Sequence, residues 1–130
     1  MKTILVDAVD TFDIEVNGVY QIFEPMHQLL EEFPNKKILV TGANDEQFKE
    51  WNLDKMPYEV FTLKHNPDKI DPRYFQTLLT KYNLTAADVI YFEHNPEAVK
   101  SAESVGIESY QYDETKADLS ALRKFLEENV

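Results

Sequence analysis

The apolar run Ile4-Leu5-Val6 stops on Asp7, and Thr11 follows four residues later. A strand that ends on aspartate presents the carboxylate at the rim of a sheet, and in open α/β sheets the rim at the carboxyl ends of the strands is where ligands bind. Asp7 is therefore a candidate for chemistry, although an aspartate after a strand can equally cap a turn by bonding its own backbone. Two more apolar runs end on side chains with polar heads: Ile38-Leu39-Val40 on Thr41, and Ile90-Tyr91-Phe92 on Glu93, with His94 next.

The elements that must position these residues alternate along the chain. Lys2 to Val6 reads as a first strand. Phe12 to Val16 and Val19 to Phe23 alternate apolar and polar residues around Asn17-Gly18, the strongest short hairpin signal, so a small flap is expected just beyond Asp7. Pro25 suits the start of a helix with Met26, Leu29, Leu30 and Phe33 on one face. Ile38 to Thr41 is the next strand of the main sheet, Asn44 can cap a short helix through Trp51, and Tyr58 to Leu63 is the third. Pro72 opens a helix with Phe75, Leu78, Leu79 and Tyr82 on one side. Asp88 to Phe92 is the fourth strand, reaching Glu93, and Pro96 starts a helix that Gly106 ends. Ile107 to Tyr112 is the fifth strand, and Leu119, Leu122, Phe125 and Leu126 give the last helix its apolar stripe. The predicted fold is α/β: three Rossmann-like layers, with a five-stranded parallel sheet covered by helices on both faces and a small β-hairpin flap.

At 130 residues, the chain reads as one domain spanning 1–130. It has no cysteine, which excludes disulfides and thiolate metal sites. With 24 acidic against 13 basic residues the formal net charge is −11, a field that repels nucleic acid. Neither a signal segment nor a run of about 18 apolar residues is present, so a soluble cytoplasmic protein without membrane association is expected.

Four motifs in order resemble those of the haloacid dehalogenase-like hydrolase superfamily, whose enzymes mostly hydrolyse phosphate esters through an aspartyl-phosphate intermediate. The Asp-x-Asp-x-Thr motif is similar to Asp7-Ala8-Val9-Asp10-Thr11 at its first and last positions. The strand ending in Thr or Ser falls on Ile38 to Thr41, followed by Gly42. Lys-Pro-Asp-Pro falls on Lys69-Ile70-Asp71-Pro72, and the acidic motif before a helix on Glu93-His94-Asn95-Pro96-Glu97. The resemblance covers most of the chain. It implies the order 3-2-1-4-5 for the five sheet strands, with Asp7 and Glu93 on neighbouring ones. It also implies Asp7 as nucleophile and Mg²⁺ ligand, Thr41 and Lys69 as phosphate-binding and charge-neutralising partners, and Glu93 with the next residue and the carbonyl of Val9 as metal ligands. The implied cofactor is Mg²⁺ or another divalent metal, and the implied partner is a small phosphorylated substrate.

Two departures from that pattern, at Val9 and His94, bear directly on the chemistry. The family's second Asp, a general acid and base, falls on Val9, and loss of such a group typically costs about 10² to 10⁴ in rate. Asp10 lies one position late, where the family usually has Gly. His94 stands where a metal-binding Asp is expected, and imidazole suits Zn²⁺, Mn²⁺ or Fe²⁺ better than Mg²⁺. Only 33 residues separate Asp7 from Thr41 and 27 separate Thr41 from Lys69, which leaves no room for a cap domain. The reading is a small capless hydrolase, a phosphatase with a slow or altered mechanism. The alternative is a binding or regulatory module that has lost catalysis and takes a protein partner or a second copy of itself. His27 and His65 carry no motif support, and Trp51 reads as packing or partner surface.

Overall fold

The computed structural model describes residues 1–130. Its elements are β1 (Thr3–Asp7), β2 (Asp13–Val16), β3 (Val19–Ile22), α1 (Glu24–Glu31), β4 (Lys37–Thr41), α2 (Asp45–Glu50), β5 (Glu59–Thr62), α3 (Pro72–Lys81), β6 (Val89–Glu93), α4 (Pro96–Ser104), β7 (Glu108–Gln111) and α5 (Leu119–Asn129). The main sheet runs β5-β4-β1-β6-β7, and every neighbouring pair is parallel. This is the predicted architecture and strand order. No helix is long and apolar enough to cross a membrane.

β1 lies at the centre and is buried along its whole length, as the continuous apolar run of a doubly covered parallel strand requires. Successive side chains leave a strand on opposite faces. Ile4 and Val6 accordingly pack with Met26 and Leu30 of α1 and Leu122 and Leu126 of α5. Leu5 packs with Phe75 and Leu78 of α3 and Ala102 of α4. The two helical layers therefore clamp β1 from both sides, and its end can hold Asp7 rigidly.

Helix starts follow the sequence signals. Asn44 accepts the Gln47 N–H in a reciprocal capping box, and Asp71 and Asn95 accept the N–H of Arg73 and of Glu97 at the starts of α3 and α4. β2 and β3 form a separate antiparallel hairpin beyond Asp7. Asn17 and Gly18 both take positive φ, 52° and 81°, as the two-residue turn demands. The hairpin docks on the segment after α2: Tyr20 and Trp51 ring centroids are 6.0 Å apart, and Asn52 donates to the Tyr20 carbonyl at 2.9 Å.

Asp13, at the foot of the flap, is fully buried, and neither of its carboxylate oxygens has a protein hydrogen-bond partner. An unpaired buried carboxylate is costly. Burial, reinforced by nearby Asp10, pushes its pKa up to about 7. The folded state then binds this proton more tightly than the unfolded chain. The contribution of this group to stability is full below the ordinary aspartate range and is lost as pH rises through about 7. Asp13→Asn should flatten this slope and raise stability at pH 8 by on the order of 2 kcal/mol, measured by denaturant unfolding at pH 5 and pH 8.

Candidate active site

Asp7 closes β1 with its carboxylate buried and its two oxygens unequally occupied. Oδ2 accepts from the Thr11 hydroxyl at 2.7 Å, from the His94 backbone N–H at 3.3 Å and from His94 Nδ1. Oδ1 accepts only from Lys69 Nζ, at 2.7 Å. Oδ2 is thus saturated, and Oδ1 keeps a lone pair. Thr11 returns to Asp7 because the chain turns sharply after β1: Phe12 and Asp13 both donate their N–H to the Ala8 carbonyl, and Asp10 takes left-handed φ of 73°. That conformation favours glycine but is tolerated by aspartate.

Glu93 ends β6, the strand beside β1, and is fully buried. Its Oε1 accepts from Lys69 Nζ at 2.7 Å and from the Tyr91 hydroxyl; Oε2 accepts the Asn95 N–H at 3.1 Å and lies 3.2 Å from His94 Nδ1. Burial alone would push the Asp7 carboxyl up, but Lys69, followed by the hydrogen bond from His94, holds it well below the usual carboxylate range. Burial would likewise lower Lys69, yet Asp7 and Glu93 hold its ammonium far above the ordinary lysine value. Hydrogen bonds to Asp7 and Glu93 raise His94 to about 10. Lys69 and His94 thus bring two basic groups against the buried carboxyls of Asp7 and Glu93.

Thr41 closes β4 on the other side of β1. Its Oγ1 accepts the Ala43 N–H at 3.2 Å, which leaves its own O–H to donate to a ligand. Tyr74, buried in the first turn of α3, holds the strand end in place: its hydroxyl accepts the Thr41 N–H at 3.0 Å and lies 2.7 Å from the Thr41 carbonyl. Lys69 arrives on a tight loop in which Lys64 and His65 both adopt left-handed φ, 55° and 63°. Gly42 lets that loop approach, because a Cβ there would meet His65 Nδ1 at 3.1 Å and Asp68 Oδ1 at 3.2 Å.

Asp7, Val9, Thr41, Lys69, Glu93 and His94 thus converge on one cavity of about 210 Å³. Asp10, Gly42, Trp51, His65 and Asn95 also line it. It adjoins a hollow of about 340 Å³ that shares Gly42, His65, Lys69 and Asn95. His65, which carries no motif support, and Trp51, which reads as packing or partner surface, both line the cavity, and the sequence carries no motif at Tyr74 or Tyr91. For Tyr91 a signal existed: it stands two residues before Glu93 on one strand, hence on the same face.

No family model matches the sequence, and no curated protein matches it. Solved structures do match in shape. A HAD family enzyme from Bacteroides thetaiotaomicron, in complex with magnesium and inorganic phosphate, superposes with TM-score 0.66 at 12% identity over 85% of this chain and 93% of that one. The D,D-heptose 1,7-bisphosphate phosphatase from B. bronchiseptica, complexed with magnesium and phosphate, gives TM-score 0.70 at 14% identity over 100% of both chains. The chain has the haloacid dehalogenase-like fold. A hydrolase from Streptococcus pneumoniae TIGR4 shares this haloacid dehalogenase-like fold at TM-score 0.64 and 19% identity, over 83% of this chain and 58% of that one.

The donor set fits a divalent cation. Asp7, Glu93 and His94 bring one ligand atom each within 4.8 Å of the others. Two carboxylates with an imidazole suit a borderline ion better than Mg²⁺, and His94 Nδ1 must give up its proton to bind one. Whatever binds there, Lys69 is the cation the cluster cannot lose. Lys69→Met leaves Asp7 and Glu93 buried without their shared partner and should cost about 3 kcal/mol in denaturant unfolding at neutral pH.

Proposed function

We propose that this chain is a metal-dependent phosphoric monoester hydrolase, slow or altered in mechanism, that uses Asp7 as its nucleophile. The observation that carries the reading is the Asp7 carboxylate: buried, ionised, held by Lys69 through Oδ1 and by Thr11 and His94 through Oδ2. In the proposed reaction Oδ1 attacks phosphorus and forms an aspartyl phosphate while the bond to the ester oxygen breaks. Water then releases inorganic phosphate and restores Asp7. Lys69 offsets the charge of nucleophile and phosphate, and the Thr41 O–H donates to a phosphate oxygen. Asp7, Glu93, His94 and the Val9 carbonyl would hold the divalent ion, which supplies further charge neutralisation. Residues 1–130 act in this reading as one domain without a cap.

Val9 has no proton to give, so the leaving group departs as an anion. Activated aryl phosphates should therefore be hydrolysed far better than alkyl phosphates. Val9→Asp should raise the alkyl rate without a matching gain on activated esters. Asp7→Asn should abolish both, because an amide is a poor nucleophile. Steady-state phosphate release with Mg²⁺, Mn²⁺ or Zn²⁺ decides; activity surviving in Asp7→Asn removes the proposed nucleophile.

A second reading, a module that binds but does not turn over, is favoured by the same cluster, because Lys69 and His94 already neutralise Asp7 and Glu93. The two readings part on metal affinity. His94→Asp should strengthen Mg²⁺ binding in calorimetry by replacing imidazole with a hard oxygen donor. Absence of binding in both proteins would move the assignment to the second reading.

A further inference from the structure

Asp7, Lys69 and Thr41 specify where a phosphoryl group would sit, but not what it is attached to. The rest of the cavity speaks to that. Its apolar lining is Val9, Ala43 and Trp51, all of which belong to or pack against one hydrophobic cluster. The adjoining hollow, by contrast, is lined mainly by polar groups, among them His65, Asp68 and Asn95. Trp51 is the only tryptophan in the chain. Its indole is braced by the flap: the Tyr20 ring lies 6.0 Å away at 47°, and Asn52, the next residue, bonds the Tyr20 carbonyl. A braced aromatic face binds a planar ring with little loss of side-chain freedom.

Size narrows the choice further. A cavity of about 210 Å³ has room for one ring beside a phosphoryl group. Val9 is consistent with such an occupant on separate grounds, because a phenolic oxygen leaves as an anion far more readily than an alkoxide.

From these features we infer that the site takes a small phenolic phosphate ester, with Trp51 as the residue that selects a planar aromatic group. This rests on the phosphatase reading and adds a recognition element that does not depend on bond cleavage. Phosphonates carry no ester oxygen to expel, so they isolate recognition from leaving-group ability. Calorimetry, with Trp51 fluorescence as a second readout, should compare phenylphosphonate, cyclohexylphosphonate and inorganic phosphate, with Mn²⁺ present. Phenylphosphonate should bind about fivefold more tightly than its saturated counterpart and change the Trp51 emission. Trp51→Leu should erase that preference while leaving inorganic phosphate affinity unchanged, which also certifies the variant's fold. Trp51→Phe should keep most of it.

Phosphate binding with equal affinity for the two phosphonates overturns the inference and leaves the phosphatase reading standing. So does a preference that survives in Trp51→Leu. Failure of phosphate and both phosphonates to bind overturns the inference together with the reading beneath it. If Trp51→Leu does not fold, the wild-type comparison of planar and saturated rings decides alone.

Discussion

The structure turns on one ammonium group. Lys69 Nζ sits 2.7 Å from both Asp7 and Glu93, two carboxylates with almost no exposed surface at the ends of adjacent strands. Without a cation between them these charges would repel at close range in a medium that screens poorly. With Lys69 in place, Asp7 stays ionised while buried. A carboxylate that is ionised, immobilised and only partly hydrogen-bonded is a usable nucleophile; a solvated or protonated one is much less so. The same contact therefore serves stability and the proposed chemistry, and the two cannot be tuned separately.

Much of this geometry was legible in the sequence, because strands that end on chemically useful residues report the rim of a parallel sheet directly. Asp7, Thr41 and Glu93 are the last residues of β1, β4 and β6, and the family resemblance placed Lys69 with them. The flap was legible from Asn17-Gly18. What holds those residues in place was less so. Tyr74 reaches Thr41 from a helix 33 positions on, and Trp51 lines the cavity from the end of α2 with the flap packed against it. Such contacts depend on how layers pack, which periodicity does not encode. His65 had no motif to flag it, yet it lies against Gly42 on the loop that delivers Lys69.

Val9 and His94 shape what the fold can do with that nucleophile. Val9 offers no titratable group to the cavity, which it lines together with Ala43 and Trp51. His94 adds a second cation on Asp7 Oδ2, where it competes with any metal for the same lone pairs. In the proposed reaction Val9 suits a phosphoryl group whose leaving oxygen needs no proton, and His94 is expected to bind a metal more weakly than a second carboxylate would. The fold itself is shared with magnesium- and phosphate-bound neighbours at low identity.

The central claim is that Asp7 forms a covalent bond to phosphorus. Its most direct test is acid-quenched incubation of the metal-loaded protein with 4-nitrophenyl phosphate, followed by peptide mass spectrometry. A phosphoryl increment on the peptide carrying Asp7, absent from the Asp7→Asn protein, is the predicted result. Phosphate release without any adduct on Asp7, or an adduct confined to another residue, would contradict it.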